Sequence, residues 1–230
     1  MKNSHIAKSL QTAVATSLVL LLSASALYML VEPQITHGQS STFLVRTTIT
    51  GENSFLVPPS NANLTGTING LTGGQATGAS QFVVQSNSPA GYEVRIAFFN
   101  NGTDNAMRGD VSEDESIVDY LGDVAGEPSA GFTTNASAQF AYTVTSSSSP
   151  DTDQSFRVSA GTCNQSGGDQ LGTCWKSPET SNFTIVSRNS PSLTGATSTI
   201  SFNVTVPNNP VPTPTADGYT ATATLSLIPL

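Results

Sequence analysis

Histidine is almost missing from this chain of 230 residues. His5 and His37 are the only two, and both lie in or beside an apolar N-terminal run. Beyond position 37 there is no imidazole, so the rest of the sequence cannot build a Ser-His-Asp triad or a Cys-His pair. Lysine is nearly as scarce, since Lys176 is the only one after Lys8. A Ser-Lys dyad, or a Lys-Asn or Lys-Asp isopeptide cross-link, would have to use it; its plainer reading is a solvated lysine beside a disulfide loop. Neither a Gly-rich phosphate loop followed by Lys-Ser or Lys-Thr nor a His-based zinc motif is present. Trp175 is the single tryptophan and aromatics make up 7% of the chain, which counts against a sugar-cleaving cleft walled by rings.

Positive charge is also lacking. From Gln39 onward there are 15 acidic and 6 basic residues, a net charge near −9. Such a surface does not suit nucleic acid, because phosphate binding needs a positive face, and an anionic lipid surface is disfavoured for the same reason. Charged residues are only 10% of the chain, whereas Ser and Thr together number 61. The surface is therefore one of hydroxyls and amides. Val, Ile, Leu, Phe and Tyr recur in alternating patches, which argues for a folded, loop-rich β protein over disorder.

The one long hydrophobic run spans Ala13 to Val31, behind a basic front of Lys2, His5 and Lys8. It is long enough for a signal sequence and nearly long enough to cross a bilayer. Ala24-Ser25-Ala26 and Thr36-His37-Gly38 both satisfy the small-residue cleavage rule, and release near Gly38 is preferred over an uncleaved anchor. The reading is a secreted or cell-surface protein that meets the membrane only through its N-terminal segment. Cys163 and Cys174, the only cysteines, are separated by ten residues. In an oxidising compartment they read as one disulfide across a flexible loop, and two thiolates without histidine fall short of a zinc site.

Residues 41–50 alternate, with Phe43, Val45, Thr47 and Ile49 on one side, the period of a half-buried strand. Further strands are predicted at Leu64–Asn69, Gln81–Gln85, Tyr92–Phe99, Ala138–Thr145, Ser155–Ser159, Asn182–Ser187, Thr199–Val206 and Tyr219–Ile228. Gly, Pro, Asn and Ser clusters punctuate them. Residues 112–121 break the pattern: Ser112 and Glu115 form a capping box, acids fill the first turn and Gly122 can end a helix. Residues 207–216, with four prolines, suit a stiff arm between the last two strands. The expected fold is all-β, an immunoglobulin-like or jelly-roll-like sandwich with one short surface helix, preceded by an N-terminal hydrophobic leader helix. Residues 1–38 are the signal peptide or anchor, and 39–230 a single domain with a long acidic excursion at 100–131.

That excursion crowds Asp104, Asp110, Glu113, Asp114, Glu115, Asp119 and Asp123 together. A solvated acidic face is the plain reading. Calcium on Asp104, Asp110 and Asp114 is the sharper one, although the spacing is not that of an EF-hand. Paired carboxylates also leave open a secreted glycoside hydrolase. Trp175 beside Cys174 reads as packed on the disulfide, or as an exposed platform that, with Tyr92, Tyr120 or Tyr142, would stack sugars in a carbohydrate-binding module. Arg108-Gly109-Asp110 and six Asn-x-Ser/Thr triplets are of the kind that chance supplies in such a composition.

The segments Asp217–Leu227 and Asn87–Val94 resemble the closing strand and a strand-entry turn of bacterial cell-surface proteins of the WxL type or of pilus and spore-coat subunits. The Trp-x-Leu motifs are themselves absent. The resemblance implies an exported, non-catalytic β domain on the cell envelope, whose partners would be other envelope proteins, itself or surface glycans. Strand 43–50, following a flexible terminus, is then the candidate for edge-strand pairing with a neighbour.

Overall fold

The computed structural model describes residues 3–31, 44–100, 105–123, 126–132, 136–170 and 172–230. Two units are distinct, Met1–Thr48 and Ile49–Leu230. In the first, one helix, α1, runs over Asn3–Val31. Within it, residues Leu10–Met29 have a mean hydropathy of 1.7, long and apolar enough to cross a membrane. The cleavage motif at 36–38 lies outside the described residues.

The second unit is a β-sandwich. Its strands begin with β1 (Asn53–Val57), β2 (Thr65–Asn69), β3 (Gly73–Ser86), β4 (Tyr92–Phe99), β5 (Met107–Gly109), β6 (Ser116–Asp119) and β7 (Ser129–Ala130). They continue with β8 (Gln139–Ser146), β9 (Arg157–Val158), β10 (Gly168–Asp169), β11 (Cys174–Trp175), β12 (Phe183–Arg188), β13 (Ser192–Val206) and β14 (Tyr219–Pro229). One hydrogen-bonded path joins β1-β3-β13-β8-β6-β5-β14-β4-β12, with β2 also on β3. The path folds over on itself. Phe98 of β4 meets Phe140 and Tyr142 of β8 at ring-centroid distances of 6.0 and 5.3 Å, although β4 and β8 are not neighbours in the ladder. The β3-β13-β8 region therefore packs face to face on β14-β4-β12.

Alternation explains the core. Tyr92, Val94, Ile96 and Phe98 point inward from β4, and Phe82 and Val84 from β3, as a period of two requires. They form one apolar cluster with Phe140, Tyr142, Val144, Ile185 and Ile200. β8 is buried on both faces. Its inner residues enter this cluster, while Ala141, on the outer face, joins Tyr120, Trp175 and Phe132 in a second, smaller one. The turn into β4 needs Gly91, whose φ is +90°; a Cβ there would collide with the carbonyl oxygen of Arg188.

Two sequence expectations fail, and a third, the strand at Ser155–Ser159, holds only over Arg157–Val158, after a 3-10 turn at Gln154–Phe156. No helix forms over 112–121. Gly109 N–H donates to Glu115 O at 3.0 Å and Glu115 N–H to Ser112 O at 2.8 Å, closing a β5–β6 hairpin in which Met107 faces Ile117. Ser112 and Val111 give their N–H groups to Asp217 Oδ2 at 2.8 and 3.0 Å. Residues 116–119 then pair with β5 on one side and run parallel to β8 on the other. Two ladders outweigh a capping box worth about 1 kcal/mol. The strand expected at 41–50 is likewise absent over its described part: residues 44–50 are exposed and carry no ladder. Among the described residues no strand pairs with them.

A buried lysine between two carboxylates: candidate functional site

Strand alternation builds the site. Cys174 points into the main core, Trp175 into the smaller cluster, and Lys176 returns to the side of Cys174. The backbone of Lys176 is fixed by Tyr142, with Tyr142 N–H donating to Lys176 O at 3.1 Å and Lys176 N–H to Tyr142 O at 2.8 Å. Its side chain is fully buried, with 0% of its surface exposed. The solvated lysine of the sequence reading is therefore corrected: this amine has no water to face.

Its Nζ donates to Asp123 Oδ2 at 2.8 Å, to Glu179 Oε1, and to Ser177 O at 3.4 Å. It also stands 4.9 Å from the centre of the Phe183 ring, an attractive placement for a cation. Asp123 is oriented from below, since Ser177 N–H donates to its Oδ1 and Oδ2 at 3.0 and 3.2 Å. Burial pushes the Asp123 carboxyl above the ordinary aspartate value, and the neighbouring Lys176 offsets only part of that rise. Tyr142, behind the lysine, is raised well above an ordinary phenol by burial, then by the charges of Glu179 and Asp123.

Glu179 faces two ways. Besides meeting Lys176, it lines a cleft of about 270 Å³ together with Asn100, Asp119, Thr180 and Ser181. Ser181 Oγ donates to its other oxygen at 3.1 Å. Asp119 in the same cleft is pushed up to about 6, chiefly by burial; the Ala106 N–H and the charge of Lys176 pull the other way. One amine therefore answers to Asp123, Glu179 and, more distantly, Asp119. Removing one member of such a buried pair strands the other charge, at a cost of about 3–5 kcal/mol.

No protein-family model matches this chain, and no curated protein matches it.

The residues singled out by sequence fall elsewhere. Asp104 lies outside the described residues. Asp110 and Asp114 are exposed on the β5–β6 turn, and among the described residues no group of three His, Cys, Asp or Glu is placed to hold a metal ion. Cys163 and Cys174 are bonded, with an S–S distance of 2.10 Å and Cα atoms 5.8 Å apart. Trp175 is only 7% exposed and offers no open face to a sugar ring. It does not sit with the disulfide's cluster either: a strand turns successive side chains to opposite faces, so Trp175 meets Phe132 edge-on at 5.4 Å and donates from Nε1 to Gly172 O at 2.9 Å. Tyr92, Tyr120 and Tyr142 are buried too. Arg108 and Gly109 belong to β5 and do not form an open loop tip.

Sequence reading missed the lysine cluster. The signal was nevertheless present: a Cys-Trp-Lys run in a strand places Lys176 on the same face as a half-cystine.

Proposed function

We propose that this protein is an exported, non-catalytic structural or interaction protein of the bacterial cell envelope, and that copies assemble through edge strands. An apolar N-terminal helix followed by a disulfide-bonded sandwich suits display outside the membrane. The observation that carries the assembly reading is the segment 44–50. Leu44, Val45 and Ile49 are 79%, 86% and 83% exposed, and the backbone there carries no ladder. A segment with this alternation gains main-chain hydrogen bonds by adding as a strand to an open sheet edge, while alternate side chains fill pockets in the acceptor. In the sandwich, β1 ends the hydrogen-bonded path on one side and supplies such an edge, whereas β12 at the other end is already met by Thr152, bridged to Val186, and by Asp153 N–H on Ile185 O.

Multi-angle light scattering on the full chain and on a chain lacking residues 39–50 tests this. Oligomers from the first and monomers from the second are expected. A monomeric full chain, or equal assembly of both, overturns the reading.

A further inference from the structure

We infer that Lys176 and Asp123 react to form an intramolecular isopeptide bond, with Glu179 as the proton carrier. The reaction goes beyond the proposed display role and needs only the chemistry of this pocket.

Three observations converge. The amine is fully buried and held 2.8 Å from an oxygen of the carboxyl that would acylate it, so the two reacting groups are in direct contact and need no encounter step. A second carboxylate, Glu179, touches the same nitrogen and opens onto the cleft beside it. Ser177 N–H points at Asp123 Oδ1 from 3.0 Å, placed to stabilise the oxygen that becomes negative as the carbonyl is attacked. Burial also favours the neutral acid form of Asp123, the form that can lose hydroxide as water.

The step balances without any added reagent. A proton passes from the Lys176 ammonium to the Asp123 carboxylate, leaving a neutral amine and a neutral acid. The Nζ lone pair attacks Cγ of Asp123 and the carbonyl electrons move to Oδ1, against Ser177 N–H. Glu179 takes a proton from Nζ and delivers it to Oδ2. The Cγ–Oδ2 bond breaks, one water departs, and an amide remains. Glu179 ends as it began. The gain is the removal of two charges from a site where neither is well solvated. The product ties the turn after β6 to the segment after β11, two residues beyond the disulfide.

Tryptic mapping of the full chain, reduced and alkylated, is decisive. Cutting at Arg108, Arg157 and Arg188 leaves Asp123 in peptide 109–157 and Lys176 in peptide 158–188. Both cysteines lie in the second peptide, so no disulfide can join the two. The bond predicts one joined species, lighter than the two peptides together by one water, with no cleavage after Lys176. Lys176→Arg and Asp123→Ala should release separate peptides. Wild-type chain that gives separate peptides 109–157, 158–176 and 177–188 overturns the proposal, however the variants fold. General acid–base help is worth about a hundredfold, so freshly purified Glu179→Gln chain should remain largely unjoined. Joining as complete as in wild type would remove Glu179 from the reaction.

Discussion

Asp119 makes folding depend on pH in an unusual direction, and its magnitude follows from the structure. Its carboxyl rises from 3.8 to about 6 on folding, so the folded chain holds that proton more tightly than the unfolded chain. Its contribution is therefore most favourable below the unfolded value and is lost as pH climbs through the folded one. A shift of about two units corresponds to about 3 kcal/mol. Asp119 is only partly buried, and solvent screening reduces this to about 2 kcal/mol. Asp119→Asn removes the titration but keeps an Oδ1 acceptor for Ala106 N–H, which donates to Asp119 at 3.0 Å. The variant should match wild type near the unfolded value, gain steadily up to about 6, and then stay ahead by about 2 kcal/mol. Urea unfolding of both proteins across that range, followed by the fluorescence of Trp175, measures the difference; effects of other titrating groups cancel in it. A difference that is flat or that shrinks as pH rises refutes the reasoning. Because Lys176 pulls Asp119 downward, loss of the ammonium on cross-linking would move the whole window higher.

Two further outcomes are expected. Replacing Cys163 and Cys174 together by Ala should cost about 3 kcal/mol by the loop-closure argument, read as an earlier urea midpoint, with reduced wild type behaving alike. Trp175→Ala should destabilise by about 3–4 kcal/mol through the hole left among Phe132, Tyr120 and Ala141; wild-type tryptophan emission should be blue-shifted and insensitive to sugars, and quenching by an oligosaccharide would contradict its burial.

The strands with clean alternation were legible. Tyr92–Phe99 is β4 to the residue, and Tyr219–Ile228 differs from β14 by one position. β4 buries one face in the core and β14 lays Tyr219, Ala221, Leu225 and Leu227 partly buried against it, which is the condition that writes a period of two into sequence. Long β3 and β13 were only half visible because their remaining turns carry Gly, Thr and Gln and rely on pairing with each other for ladder hydrogen bonds. Residues 112–121 misled for a different reason. Their capping chemistry is local, but of the two N–H groups it would satisfy, that of Ser112 is claimed by Asp217, more than a hundred residues away, and that of Glu115 by the Ser112 carbonyl of the hairpin turn. Of the site, only the face of Lys176 was accessible. Its carboxylates come from a turn some fifty residues earlier and from three residues later, and the first of these meetings depends on the excursion folding over β8.

Lys176 being sealed has a practical side. Between residues 49 and 230 it is the only primary amine on a side chain, and none of its surface reaches solvent. Aldehyde fixatives, succinimide ester dyes, ubiquitin-type tagging and endoproteinases specific for lysine all depend on that group. The folded sandwich should pass through every one of them unmarked, so labels that seek carboxyls or arginines are the reagents to choose.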